Sequence, residues 1–486
     1  MAGPPSFGKC RTRFMAITPE PSSSPLRSAP PEASPFLVRF LQVAGRPLER
    51  FLRIEAASGV LLLFAAVIAL AWANSPWAES YAALWQTKAG VRLGNFVFER
   101  TLEWVVNDGL MVIFFFVVGL EIRRETECGE LSEWRRAALP AAAAAGGMLA
   151  PALIYLALAG SPLTRSGWGV PMATDIAFAV GVLTLLGSRV PAALRVLLLA
   201  LAVIDDLGAI AVIALFYSSG VTLSGVLVAL AGFASVFVLQ RFGVRAKLAY
   251  IPSALLAWAG TYAAGLHPTI AGVVIGLMTP VRAWLGAGGF VAGVRREIRH
   301  LESATSELSA HELAGSLRHV DAARREALSP AESLIQALHP WVAFGIMPVF
   351  ALANAGVSLG GDAPGAAATS VLFAVMVGLV AGKPVGVLLA CWLTLRVGLS
   401  QLPAGVTWRH LLVLGTVAGI GFTMALFIAQ LAFADPQLLS AAKLGILLAS
   451  GGAGAAALIL GRALLSPSAA TAAARTADEA EASTEH

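Results

Sequence analysis

The sequence predicts an all-α polytopic membrane protein, and three observations carry that prediction. The 486 residues are 57% hydrophobic and only 13% charged, with a mean hydropathy of +0.76. An ordinary soluble protein carries about 25% charged residues, and half that share cannot coat a globule of 50.3 kDa. The apolar residues gather in runs near the roughly 20 residues that cross a bilayer as a helix. The 48 glycines lie inside those runs rather than in linkers, as is common in transmembrane helices. A conventional soluble enzyme and a disordered chain are both excluded. The three cysteines, Cys10, Cys128 and Cys391, form no CxxC pair, which argues against a disulfide framework or a zinc site.

Residues 1–47 form a basic extension, rich up to residue 35 in Pro, Ser and Ala. They read as disordered, with no apolar core suited to a signal peptide. Phe36–Arg53 is basic and partly amphipathic, which suits a membrane surface. About twelve spans follow within residues 48–462. They fall near 55–75, 102–121, 137–159, 167–187, 191–217, 222–240, 247–264, 267–281, 340–357, 370–395, 410–431 and 437–461. A hydrophilic insert, 283–338, separates spans 8 and 9. Seven arginines and seven acids lie between those spans, at helical spacing from Val294 to Arg325, and predict a solvated helix or two. Residues 463–486 read as a disordered tail.

Basic residues set the orientation. Arg123, Arg124, Arg135 and Arg136 follow span 2, Arg189 and Arg195 span 4, and Arg241, Arg245 and Lys247 span 6. Arg396 and Arg409 follow span 10, whereas the alternate loops are poor in charge. The positive-inside rule then places both termini in the cytoplasm. The loop after span 1 runs against the trend with Lys88, Arg92 and Arg100.

Charges inside spans carry the functional signal. An ionised side chain at the bilayer centre costs about 2.5–3.5 kcal/mol on insertion scales. Asp108, Asp175, Asp205, Asp206 and Lys383 all lie at span depth, and Glu121 ends span 2. Asp205 and Asp206 are neighbours on one helix, about 100° apart, so they face different surroundings. Two buried like charges resist joint ionisation, and such a pair can trade a proton for a cation. In span 4, Pro171 predicts a break beside Thr174 and Asp175. Asp175 there either neutralises the dipole of a new helix N-terminus or binds an ion. Gly419 and Gly421 predict a matching break in span 11. Interrupted spans at corresponding places in two halves point to a transporter's binding site. Lys383 in span 10 needs a partner. Either the C-terminal ends of the broken helices or an aspartate of span 5 would serve.

These residues carry a resemblance. The chain resembles the NhaA-type Na⁺/H⁺ antiporters of bacterial inner membranes over about residues 48–462. The matching stretches are Asn107–Met111, Val118–Glu125, Ala173–Ala179, Leu201–Ala209, Leu266–Gly272, His339–Trp341, Phe350–Val357, Gly382–Pro384 and Gly419–Met424, in that order. The resemblance implies two inverted-topology repeats and two crossing interrupted helices. It implies that Asp205 and Asp206 hold the transported ion, with Asp206 as main Na⁺ or Li⁺ ligand. Asp175 and Thr174 would stand at the crossing, and Lys383 would compensate charge there. Transport would be electrogenic Na⁺(Li⁺)/H⁺ exchange by alternating access. The partners would be Na⁺, Li⁺, H⁺ and the lipid bilayer, with no cofactor and no nucleic acid. The family's alkaline-pH cluster would correspond to Glu121, Arg124, Glu125, His339 and His267. Where many members carry Glu-His before the His-Pro-Trp turn, this chain has Ile335-Gln336, and Glu332 one turn earlier can substitute. The family's dimer-supporting segment corresponds loosely to Val91–Phe98. A Na⁺-coupled organic-solute transporter of similar fold is the nearest alternative. It calls for Asn, Gln or Ser beside the aspartates, which spans 4 and 5 largely lack.

Overall fold

The computed structural model describes residues 55–93, 96–218, 220–283, 285–303, 310–359 and 365–465. The extension 1–47 and the tail 466–486 lie outside the described residues. In chain order the helices are α1 Glu55–Ala73, α2 Ala78–Gln86, α3 Leu102–Cys128, α4 Trp134–Leu158, α5 Pro162–Met172, α6 Ile176–Leu185, α7 Ala192–Phe216, α8 Leu223–Arg241 and α9 Ile251–Ala263. They continue with α10 Thr269–Met278, α11 Gly286–Ser303, α12 Ala310–Ala327, α13 Pro330–Asn354, α14 Ala366–Val397, α15 Trp408–Ala418, α16 Phe422–Ala432 and α17 Pro436–Leu464. Among the described residues, seven helices are long and apolar enough to cross a membrane, or ten if each bent pair is one span. The prediction of an all-helical polytopic membrane protein therefore holds at that level.

A bilayer offers no water to unpaired backbone groups, so helices must satisfy their own. Side-chain packing then decides which helices meet, and glycine permits the closest approach. The α3–α10 contact shows this. A Cβ on Gly119 would stand 2.6 Å from the Val273 carbonyl, and one on Gly276 2.6 Å from the Phe116 carbonyl. The helix pairs α8–α9, α4–α14, α14–α17 and α1–α6 also pack extensively.

Several elements depart from the sequence expectation. The segment between α1 and α3 contains α2 and an antiparallel hairpin, β1 Lys88–Leu93 with β2 Phe96–Thr101, paired Lys88 to Thr101 through Leu93 to Phe96. Its Arg100 explains part of the anomalous charge in this loop. The guanidinium donates to the Tyr262 hydroxyl at 2.8 Å and lies 5.2 Å from the Phe98 ring centroid. The ninth span begins ten residues earlier than expected, because α13 runs through Pro340 and takes Glu332 and His339 into the same helix as Asn354. A π-helical stretch at Val342–Ile346 follows the proline within the same continuous helix. Of two further π stretches, Val105–Leu110 in α3 contains the buried Asn107 and Gly378–Gly382 in α14 directly precedes the buried Lys383. The insert is a pair of packed helices, α11 and α12. An Arg245–Glu326 ion pair and a Lys247 Nζ to Ser333 Oγ bond at 2.8 Å tie α12 and α13 to the segment after α8.

Candidate functional site

Both predicted interruptions are present. The α5–α6 pair bends by 48° across residues 173–175, and the α15–α16 pair by 45° across 419–421. Pro171 lies just before the first break, in a stretch wound as 3₁₀ helix rather than α. The second break owes its glycines to proximity rather than to backbone freedom. Gly419 and Gly421 have φ of −66° and −90°, which any residue adopts. A Cβ on Gly419 would instead meet the Leu379 carbonyl at 2.5 Å, and one on Gly421 the Ala173 carbonyl at 3.1 Å.

The breaks pack against each other and satisfy each other's backbone. The Asp175 N–H donates to the Ile420 carbonyl at 2.7 Å, and Thr174 Oγ1 lies 3.0 Å from the Ala418 carbonyl. Interruption leaves two half-helix N-termini, each with unpaired N–H groups and partial positive charge. Asp175 meets both. Its Oδ1 accepts from the Phe178 N–H of α6 at 3.0 Å. Its Oδ2 accepts from the Thr423 N–H of α16 at 3.1 Å and from Thr423 Oγ1 at 2.5 Å. Of the two readings open in the sequence, the geometry is that of a cap shared by two helices. Thr423 was not singled out from sequence, although its place just after Gly421 marks it as the first turn of a new helix.

Beside the crossing, α7 presents its two aspartates. Asp205 and Asp206 are each 1% exposed, Asp175 and Lys383 not at all. Lys383, on α14, forms an ion pair with Asp205 Oδ2. It also donates to Thr174 Oγ1 at 2.7 Å, and that hydroxyl lies 2.6 Å from the same Asp205 oxygen. Asp205 Oδ1 and Asp206 Oδ1 are buried without a hydrogen-bond partner. Asp206 feels the charges of Asp205, Glu121 and Asp175, opposed by Lys383. Unpaired carboxylate oxygens in a low-dielectric interior are costly. A proton or a small cation bound there relieves that cost.

The residues expected in the alkaline-pH cluster are not all brought together. Arg124 lies 3.4 Å from Glu125 and 3.6 Å from Glu332, with Glu121 one turn earlier on α3. Gln336 Nε2 donates to Glu332 at 3.0 Å. His339 is exposed, two turns along α13 from Glu332. His267 stands apart. Its Nε2 is 3.4 Å from Asp108 Oδ1 and its Nδ1 2.8 Å from Thr269 Oγ1. Asp108 precedes Glu121 by more than three turns of α3, about 20 Å along the axis.

Comparison with known proteins places this arrangement. The Na⁺/H⁺ antiporter 1 family profile matches residues 49–460. The Na(+)/H(+) antiporter NhaA 2 of Myxococcus xanthus (strain DK1622) is 68% identical over 471 residues, covering 97% of this chain and 100% of that protein. The protein of the same name from Sorangium cellulosum (strain So ce56) is 58% identical over 466 residues, or 96% and 100% of the two chains. That of Pseudomonas putida (strain KT2440, ATCC 47054) is 52% identical over 406 residues, or 83% and 90%. With the profile spanning nearly the whole membrane region and three relatives above half identity, the chain belongs to the family of Na⁺/H⁺ antiporters.

Proposed function

We propose that this antiporter exchanges Na⁺ for protons at Asp205 and Asp206, by alternating access. The observation that carries the reading is the pair of buried, unpartnered oxygens Asp205 Oδ1 and Asp206 Oδ1 beside the crossing of two broken helices. Asp206 is the main ligand for Na⁺ or Li⁺. Among the described residues no cation pairs with it, whereas Asp205 is already paired with Lys383. Thr174, hydrogen-bonded between Lys383 and Asp205, positions that pair. Asp175 holds the half-helix ends in register. Sodium arriving at Asp206 displaces a proton, and the next proton displaces sodium once the site faces the other side. Exchange of more than one proton per Na⁺ makes the cycle electrogenic, and the Lys383–Asp205 pair is the second proton-handling group available to it.

The finer architecture belongs to the same proposal. The ten length-qualified spans, with α9 and α10 as two short ones, give twelve crossings in two inverted repeats. The broken pairs α5–α6 and α15–α16 are then equivalents. Both termini lie in the cytoplasm of a bacterium, and the protein spans its inner membrane. The membrane domain occupies 48–462, flanked by the hydrophilic extensions 1–47 and 463–486 and interrupted by the 283–338 insert. Arg124, Glu125, Glu332 and Glu121 form the pH-responsive group on the cytoplasmic side, with His339 near it. The β1–β2 hairpin is the element through which two copies associate. The solute-coupled alternative gains nothing from the site, whose polar contacts are threonine hydroxyls, backbone groups and the Lys383 ammonium.

Calorimetric titration of Na⁺ into the purified protein, in buffers of different ionisation heat, tests the shared-carboxylate reading. Sodium binding is expected to release protons, and Asp206→Asn to abolish both binding and release. Sodium binding with no proton release would contradict the reading.

A further inference from the structure

A second, partly buried polar network uses none of the exchange site's groups. The half-helix α16 meets Asp175 through Thr423 in its first turn. Gln430 follows seven residues later, about two turns on and therefore on nearly the same face. Its Nε2 donates to Asn354 Oδ1 on α13, and to Glu103 Oε1 on α3 at 3.4 Å. Its Oε1 accepts from Asn107 Nδ2 at 3.4 Å. Asn354 Nδ2 completes the ring, donating to Asn107 Oδ1 at 2.8 Å and to the Phe350 carbonyl of its own helix at 3.0 Å. Asn354 is fully buried and Asn107 9% exposed. Asn107 sits in the π stretch of α3, a local irregularity common at functional positions.

Buried amides are costly unless paired, and a closed ring of them fixes the helices that supply its members. This ring joins α16 to α3 and α13 at the end of α3 remote from Arg124, about 25 Å away along the helix at 1.5 Å per residue. Alternating access requires the helices around the crossing to change partners on one side at a time. The ring is the one connection among the described residues that runs from α16 to both α3 and α13 through side-chain amides.

We propose that Gln430, with Asn354, Asn107 and Glu103, is a clasp that keeps the exchange site closed on the Glu103 side and opens when α16 moves. Gln430 is a positioning residue in this account, acting through the half-helix that ends at Asp175. The inference rests on the assignment of the exchange site to Asp205 and Asp206. Releasing the clasp populates the state open toward Glu103 and depletes the state open toward Arg124. Apparent affinity falls in proportion to the depleted fraction.

The test is Na⁺ dependence of exchange at each face, in everted and right-side-out membrane vesicles, for wild type and Gln430→Leu. The leucine keeps similar volume and removes every bond that Gln430 makes to Asn354, Asn107 and Glu103. Half-saturating Na⁺ is expected to rise about five- to tenfold at the Arg124 face, for the loss of a few weak hydrogen bonds, and to fall at the Glu103 face. Parallel changes at both faces, or none, would overturn the clasp. Should Gln430→Leu fail to reach the membrane, Asn107→Leu removes the Asn107 bonds to Gln430 and Asn354 at similar volume, and the same opposed shifts are required of it. Asp206→Asn, run alongside, separates the two ideas. If it retains full exchange, the site assignment fails, whereas parallel shifts in Gln430→Leu with an inactive Asp206→Asn sink the clasp alone.

Discussion

Lys383 is a charged side chain with no exposed surface, and its ion pair with Asp205 is what permits that. Breaking a buried pair by removing one member leaves the other charge unpaired and costs about 3–5 kcal/mol. Lys383→Met is therefore expected to lower the thermal midpoint of the detergent-purified protein sharply. The double variant Lys383→Met/Asp205→Asn should recover most of that loss, because no buried charge is then left alone. A double variant no more stable than the single would mean that the pair is not the stabilising contact. The individual charges were legible in the sequence because aspartate and lysine stand out in apolar runs. Their pairing was legible only as one of two alternatives for Lys383, because Lys383 and Asp205 are 178 residues apart and only the folded crossing brings them together. Thr423 escaped for the same reason, its partner Asp175 lying 248 residues away.

The two broken helices were readable as elements, since Pro171 and the Gly419–Gly421 stretch disrupt helices for stated reasons. Their physical cause proved different at the second break, where close approach to Leu379 and Ala173 demands glycine. This yields an ordered expectation. Gly419→Ala drives a methyl into the Leu379 backbone carbonyl and should nearly abolish Na⁺-dependent exchange. Gly421→Ala meets the movable Leu379 side chain and, less tightly, the Ala173 carbonyl, and should retain more. Initial rates in membrane vesicles, normalised to protein level, check the order, and the reverse order would contradict it. Element boundaries were less legible. The start of α13 at Pro330 was hidden because its first turns are polar, and Pro340 suggested a boundary that the helix runs straight through. The β1–β2 hairpin was foreseen only as a loose segment, since strand pairing depends on register rather than on apolar runs.

Across the whole molecule, the insert and the site can be separated. The insert's two helices begin and end close together, with the Leu285 N–H bonded to the Glu326 carbonyl at 3.1 Å. Replacing residues 286–327 with a short Gly/Ser linker should therefore leave the membrane helices in place. Na⁺-dependent exchange is expected to persist, and its loss from a correctly inserted protein would show that the hairpin belongs to the transport machinery. Competition for shared carboxylates makes a second whole-molecule prediction. Half-saturating Na⁺ should rise as pH falls, because protons occupy the same oxygens. A half-saturating concentration independent of pH would separate the proton and sodium sites. Fold class and family were legible from composition and ordered motifs, because both are properties of the entire chain.

The central claim is that Asp206 is where Na⁺ and protons are exchanged. The measurement that reaches it most directly is collapse of a preset pH gradient in everted membrane vesicles on adding Na⁺, Li⁺ or K⁺, from neutral to alkaline pH, for wild type and Asp206→Asn. Na⁺ and Li⁺ should dissipate the gradient in wild type, K⁺ should not, and Asp206→Asn present at wild-type level should be silent to all three. Wild-type collapse by Asp206→Asn would contradict the account and move the exchange site elsewhere.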